Sequence, residues 1–452
     1  MSNPPTSIGC RRQAKVSAGL NARATGPDKA KERFHPKGAR LAMIEADYEI
    51  PAEEVARRFA WARRQGRPAW LWPDVPIPAW RSAQEQIASA ASAVLADRPA
   101  SLSAEPQALG LAGYTSGLGP LLGLWIRQGR MAADGEARAV LARHLEHNLI
   151  RTERMAGAAA HLVRELSARG IEVAVLKGAH TGPCYFPEPG VRPASDIDLL
   201  IGPRDVAAAE AVLRANDLFL EHRGRWESSW RPCTETGGPK ALTYVHAEDP
   251  WTVDLHWSLN VALGPGSPVA ELDRAEPLAS GTRWAGDSRA RVLDQPVLLV
   301  HLAAHAGAGW HNLTLLRQLE LVLVIRRDLA EGRLDWAAFL DLGRRAGALC
   351  YAYPSLRLCE KLAAGTVPGP VLGACAAHSP AAVRRALELL TPASAQRIDR
   401  SSVAEHFMWT QGWRGRLRQL ASDLLPDAET WAEISRIYEV RAWRLIRGRL
   451  SQ

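Results

Sequence analysis

Disulfide frameworks, membrane spans and several familiar catalytic motifs are missing from this sequence. Six cysteines in 452 residues, at positions 10, 184, 233, 350, 359 and 375, include no CxxC pair. That scatter argues against a disulfide scaffold and fits a reducing, cytoplasmic setting. No run of about 18 apolar residues occurs, so no membrane span is expected. The N-terminus lacks a charged stub followed by an apolar core, which argues against a secretory signal. Walker A, HExxH and GxSxG patterns are absent, and no internal repeat is visible. Lysine is scarce beside arginine, a bias we attribute to genome composition. What is present is ordinary. Hydrophobic residues at 47% and charged residues at 23% describe a globular chain rather than a disordered or coiled-coil one. Its length suits two to three domains.

The net charge of +8 is unevenly placed. Residues 1–42 hold nine Lys and Arg against Asp28 and Glu32, a net +7, which leaves only +1 for the remaining 410 residues. A body this neutral is a poor match for extended nucleic acid, whose binding relies on many phosphate contacts. A small charged ligand or a protein surface suits it better.

Residues 1–42 are polar and without apolar periodicity, and are expected to form a disordered basic tail. Segment 43–134 is expected to be helical, with pieces at Glu53–Arg64 and Ala83–Ala96. Gly135 to Gly170 reads as one long helix. Leu141, Leu145, Leu149, Met155, Leu162 and Leu166 share a stripe, and Gly170 stands where a C-cap glycine belongs. Strand-like runs follow at Ile171–Leu176 and Ser195–Ile201, then a helix over Asp205–Asn216. A hairpin is expected from Leu242–Val245 to Trp251–Trp257. Beyond residue 290 the pattern is helical, ending in a basic amphipathic helix at Ile434–Leu450. The expected fold class is α+β: a small mixed sheet within 135–289, helices of 290–395 covering its active site, and C-terminal helices over 396–452.

The chemistry is concentrated in Leu176-Lys177-Gly178, in the stretch from Arg192 to Ile201, and in Val253–Trp257. Side chains alternate along a strand, so Asp196 and Asp198 point one way while Ile197, Leu199 and Ile201 point into the core. Two carboxylates about 7 Å apart at Cα can grip two divalent ions about 3.5–4 Å apart. On the later strand Asp254 and His256 share a face. If the two strands are neighbours, Asp254 completes a three-carboxylate cluster whose charges repel unless cations sit among them. A lone DxD is a weak signal, because exposed strand faces often carry acids. The order of strand, glycine turn, helix, DxD strand and third Asp strengthens it.

These residues resemble the DNA polymerase β-type nucleotidyltransferase superfamily, and within it a bacterial branch with an LKG, R…DIDLL and D.HW signature. The likeness spans roughly residues 95–370. It implies that Asp196, Asp198 and Asp254 bind two Mg²⁺ (or Mn²⁺) ions. It also implies that a helix starting at Lys177-Gly178 turns its N–H groups toward nucleotide phosphates. The superfamily's turn is Gly-Gly or Gly-Ser with a short gap before DxD. Here it is Lys-Gly, with 17 residues, 179–195, intervening. The resemblance is associated with peptide natural-product biosynthesis in some bacteria, which implies a peptide as one acceptor.

The remaining candidates carry alternatives. Lys177 either contacts a phosphate or pairs with a cluster Asp, and Ser195 either touches phosphate or caps a turn. Arg192 either neutralises triphosphate charge or makes a loop salt bridge. His256 is a partner of Asp254, a general base or a structural hydrogen-bonder. His301 and His305, spaced i, i+4 with His311 nearby, either reach the nucleotide from a covering helix or are core residues; a zinc site lacks an obvious third ligand. Glu320 reads as a helix-packing ion pair.

The expected activity is Mg²⁺-dependent transfer of NMP from an NTP, with ATP the expected nucleotide, to a hydroxyl on a small molecule or peptide, releasing pyrophosphate. Asp198→Asn is expected to spare the fold and even to relieve repulsion. The alternatives are a catalytically altered nucleotide-binding or partner-binding scaffold, which the Lys-Gly turn favours, and a tRNA-modifying nucleotidyltransferase toxin.

Overall fold

The computed structural model describes residues 51–424, except 66–70, 236, 264–265, 276–281, 310–312, 396–402 and 411. The basic tail, His311 and the helix expected at Ile434–Leu450 lie outside the described residues. Helices α1 (Ala52–Gln65) and α2 (Ile77–Leu95) lead to strand β1 (Ala100–Leu102), helices α3 (Pro106–Ser116) and α4 (Gly119–Arg127), and strand β2 (Met131–Ala133), parallel to β1. The long helix α5 (Gly135–Ala168) is followed by β3 (Val173–Val175), α6 (Lys177–Tyr185), β4 (Asp196–Ile201) and α7 (Val206–Ala215). Next come the antiparallel pair β5 (Leu218–Arg223) and β6 (Glu227–Pro232), strand β7 (Thr252–His256) and the short helix α8 (Leu272–Ala275). Helices α9 (Val297–Ala308), α10 (Leu315–Ala330), α11 (Trp336–Arg345), α12 (Leu349–Leu362), α13 (Gly369–His378), α14 (Ala381–Glu388), α15 (Val403–Trp409) and α16 (Gly412–Leu424) follow.

The sheet runs β3-β4-β7-β6-β5, with β4 and β7 parallel and the other neighbours antiparallel. One face carries Ile197, Leu199, Ile201, Val253, Leu255 and Trp230, which pack on Met155, Leu162 and Leu166 of α5 and on Val212 and Leu213 of α7. The opposite face carries the carboxylates. Its apolar members, Ala174 and Leu200, join Leu176 in a core with Leu299, Ala303 and Leu321 of α9 and α10. Helices α5 and α7 cover the first face, and α9 and α10 lie over the polar one.

Helix α5 starts where the Asp134 carboxylate accepts the Ala137 N–H at 2.7 Å and ends where Gly170 turns to φ 75°. Its first half packs into a separate core with α2, α3 and α4 through Ala137, Leu141 and Leu145. Between its two apolar halves lie buried Asn148 and Arg151. Asn148 donates to the Gly190 carbonyl, and Arg151 donates to the carbonyls of Ala194 (3.3 Å), Pro250 (3.0 Å) and Asp249. One helix thereby fastens the chain just before β4 and just before β7.

One local expectation is corrected. Leu242–Val245 is not a strand, and β6 takes the place beside β7. The Asp249 carboxylate accepts the N–H groups of Lys240 (2.6 Å) and His246 (2.9 Å), which curls this segment into a loop. Its Tyr244 stacks against His147 of α5, with ring centroids 4.8 Å apart. Helix α13 is built from small residues and buries only Val371 and Cys375. Among the described residues no single helix is long and apolar enough to cross a membrane.

Helices α9 and α12 approach until a Cβ on Gly307 would lie 1.8 Å from the Tyr351 carbonyl oxygen, and Ser355 donates across the gap to Ala303 O at 2.7 Å. Gly307→Ala should therefore destabilise the protein by about 1–3 kcal/mol or more. Gly157→Ala, in α5 with nothing within 4 Å, should instead stabilise it by about 0.5–1 kcal/mol. Urea unfolding of the two variants checks the opposite signs, and a neutral Gly307→Ala would contradict the close approach.

Candidate active site

The parallel register of β4 and β7 places Asp198 directly opposite Asp254, and β6 sets Ser229 opposite Asp254 and Glu227 opposite His256. Five polar side chains thus share one sheet face with Asp196. Asp196, Asp198, Glu227 and Asp254 line a cleft of about 270 Å³, closed on the other side by His305, Arg317 and Glu320 of α9 and α10. Asp198 is buried, and its Oδ1 receives both the Lys177 ammonium at 2.7 Å and His256 Nε2 at 2.9 Å. Burial opposes ionisation of Asp198, but these two cations hold its pKa well below the usual carboxylate range. The other ring nitrogen of His256 lies 3.0 Å from Glu227 Oε2. Burial pulls His256 down, yet the two carboxylates win and raise its pKa to about 9. At neutral pH it is an imidazolium donating two hydrogen bonds, which suits a structural role and not a general base.

The other two aspartates behave oppositely. Burial, then the charge of Asp198, pushes Asp196 up to about 6, with Lys177 offsetting part of the rise. Burial also raises Asp254, opposed by a hydrogen bond from the Ser229 hydroxyl and reinforced by Asp198. Ligand atoms of Asp198, Asp254 and His256 lie within 4.8 Å of one another, but an imidazolium His256 has no lone pair to give, so the donors here are carboxylate oxygens. Burial first, and then the charge of Asp198, makes ionisation of Asp196 and Asp254 costly, and their oxygen donors suit a hard divalent ion such as Mg²⁺ or Mn²⁺. The residues fit such an ion.

The turn is held from two sides. Leu176 N–H donates to Asp198 O at 3.0 Å, tying the start of α6 to β4. Lys177 adopts φ 40°, a left-handed conformation that costs a non-glycine residue strain. Its ammonium bond to Asp198 is the compensating contact, so of the two alternatives it pairs with a cluster Asp. A Cβ on Gly178 would stand 2.2 Å from Arg192 Nη1, so any larger residue there would displace the guanidinium that crosses the turn. Arg192 grips Glu320 with two parallel bonds, Nε to Oε1 at 2.8 Å and Nη2 to Oε2 at 3.0 Å. Of the two alternatives for Arg192 the structure contains a salt bridge, made to Glu320 on a covering helix. Ser195 is exposed at the cleft, its hydroxyl bonded to nothing among the described residues, so it does not cap the turn.

His305 lines the cleft together with Asp254. His301 stands behind it, buried, with ring centroids 5.8 Å apart and neither ring nitrogen partnered among the described residues. Burial and the Lys177 charge lower His301 to about 3, while Lys177 first and then burial hold His305 well down, so both rings are neutral. Sequence reasoning missed three contributors. Glu227 and Ser229 were overlooked because β6 was not recognised: its burial alternates, but its residues 227–230 are three polar ones followed by Trp230. Arg317 was overlooked although it stands one turn before Glu320.

A family model described as an uncharacterised nucleotidyltransferase matches residues 114–364, more than half of the chain's 452 residues. The chain belongs to this nucleotidyltransferase family. The match runs from within α3 to just past α12, so it contains the sheet, the cleft and the covering helices. The family's chemistry is transfer of a nucleotidyl group from an NTP. No curated protein and no solved structure matches the chain.

The charge pattern of the nucleotidyltransferase cleft has two consequences for stability. Asp198→Asn would remove the ion-pair partner of Lys177 and one of the two carboxylates that hold His256, so the expected relief of repulsion is corrected to a loss of stability; the relief belongs to Asp196. The folded pKa of Asp196, about 6, lies above an unfolded value near 3.9. A carboxylate raised in this way favours folding below the unfolded pKa, and the benefit disappears as pH climbs through the folded value. Without metal, the wild type should lose on the order of 1–3 kcal/mol relative to Asp196→Asn between pH 4 and 7. Denaturant titrations in chelator measure this directly, and parallel pH profiles would refute it.

Proposed function

We propose that the chain is a Mg²⁺- or Mn²⁺-dependent nucleotidyltransferase of the polymerase β type. It moves NMP from an NTP, with ATP as the first candidate, to a hydroxyl on a small molecule or peptide and releases pyrophosphate. The observation that carries this reading is the register of Asp198 against Asp254, with Asp196 on the same sheet face inside one cleft. Asp196, Asp198 and Asp254 are the residues that would hold the divalent ions. When bound, such ions activate the attacking oxygen and offset charge on the triphosphate and leaving group.

The chain's own residues have distinct tasks. Asp254, raised by burial, is suited to take the acceptor's proton. Imidazolium His256 and ammonium Lys177 keep Asp198 ionised and oriented. The first turn of α6, at Lys177 and Gly178, lines the cleft and can offer backbone N–H groups to phosphate. Arg192, already clamped by Glu320, contributes a fixed guanidinium beside that turn. His305 offers a neutral ring nitrogen to substrate, and Ser195 a free hydroxyl at the mouth. The five described cysteines are free thiols, in keeping with a reducing cytoplasm. One observation favours the catalytically altered scaffold instead: Lys177 engages the Asp198 oxygen that a metal ion could use.

Incubation with Mg²⁺, each NTP, and metabolite or peptide pools should release pyrophosphate and produce NMP mass additions detectable by mass spectrometry. Asp254→Asn, which breaks no ion pair among the described residues, should remain folded by circular dichroism and lose about 10³-fold or more in transfer rate. Nucleotide binding with no pyrophosphate release under any condition would point to the scaffold.

A further inference from the structure

Three cations from α6, the β4 approach and α10 line the cleft, and they are not equivalent. The Lys177 ammonium is bonded to Asp198, and the Arg192 guanidinium to Glu320. Arg317 has no carboxylate or other side-chain partner among the described residues. It sits in the first turn of α10, where its N–H is capped by the Thr314 hydroxyl at 3.4 Å, three residues before the Glu320 that serves Arg192. A partly buried guanidinium normally finds an acceptor, because five donors removed from water cost free energy when unpaired. Burial lowers its pKa and Glu320 offsets only part of that, the condition of a cation without its own counter-ion. His305, neutral and lining the same wall, offers no competing negative charge.

We propose that Arg317 is a substrate-binding residue whose guanidinium takes a phosphate or carboxylate oxyanion entering the cleft. The inference rests on the nucleotidyl-transfer reading. The oxyanion comes either from the nucleotide's polyphosphate or from an anionic group on the acceptor. Lys177 and Arg192 shape the site but bring it little net charge, because each is matched by a carboxylate. Arg317 supplies the uncompensated charge, and its fork geometry favours an oxyanion over a neutral hydroxyl.

Calorimetry on full-length wild type, Arg317→Gln and Arg317→Lys tests this, with each NTP plus Mg²⁺ as the first probe. Inorganic phosphate, titrated into protein saturated with the tightest NTP, is the second. Arg317→Gln should weaken one of the two by about ten- to a hundredfold, and Arg317→Lys should recover only part, since it keeps the charge without the fork. Weaker NTP binding identifies the polyphosphate as the source. Unchanged NTP binding with lost phosphate binding identifies the acceptor's anion. Should Arg317→Gln not fold, Arg317→Lys alone decides by the same criterion. Wild-type affinities in both variants for both probes would overturn the role of Arg317 and leave nucleotidyl transfer standing. A wild type that binds no NTP and releases no pyrophosphate overturns both.

Discussion

Three carboxylates on one face of a sheet that is covered on both sides set the terms for everything around them. Like charges at neighbouring strand positions cannot all ionise cheaply away from water. The fold answers by giving the innermost, Asp198, two cations of its own, while leaving Asp196 and Asp254 raised. One carboxylate is held ionised and oriented by direct ion pairs, while burial favours the protonated form of the other two. The strained Lys177 backbone, the glycine beneath Arg192 and the imidazolium state of His256 all follow from that arrangement.

Holding such a cluster together requires rigid surroundings. Helix α5 does this over a long reach, because one end belongs to the N-terminal helical core and the other to the sheet. Its central Arg151 ties down the residues preceding β4 and β7, the two strands that carry the aspartates. On the far side, Glu320 connects α10 to Arg192, so the covering helix and the segment leading into β4 are joined by a pair of charge-assisted bonds. The cleft is therefore framed by elements from both sides, and its cations and carboxylates come from five different segments.

Much of this was legible from residue patterns. The long helix with its terminal glycine, the DxD strand, the third aspartate and the helical run after residue 290 all depend on local periodicity, which a chain displays before it folds. The Lys177 alternatives were stated correctly but left undecided, since ammonium-to-carboxylate distance is not a local property. Strand β6 escaped notice, and Glu227 and Ser229 with it. Segment 242–245 looked more strand-like until Asp249 is seen to curl it.

The sequence by itself determined which side chains share a strand face, because alternation along an extended backbone allows no other outcome. It also determined that an acidic pair lay beside an apolar core. Only the tertiary structure decided which strands are neighbours, and hence that Asp198 meets Asp254, because register depends on pairings between segments more than fifty residues apart. The protonation states were decided there too. His256 is an imidazolium and His305 is neutral, although both are histidines near the same aspartates. The difference is that His256 bridges two carboxylates, while His305 faces Lys177 and Arg317. A charge state is set by what surrounds a group in space, and the order of residues along the chain does not contain that.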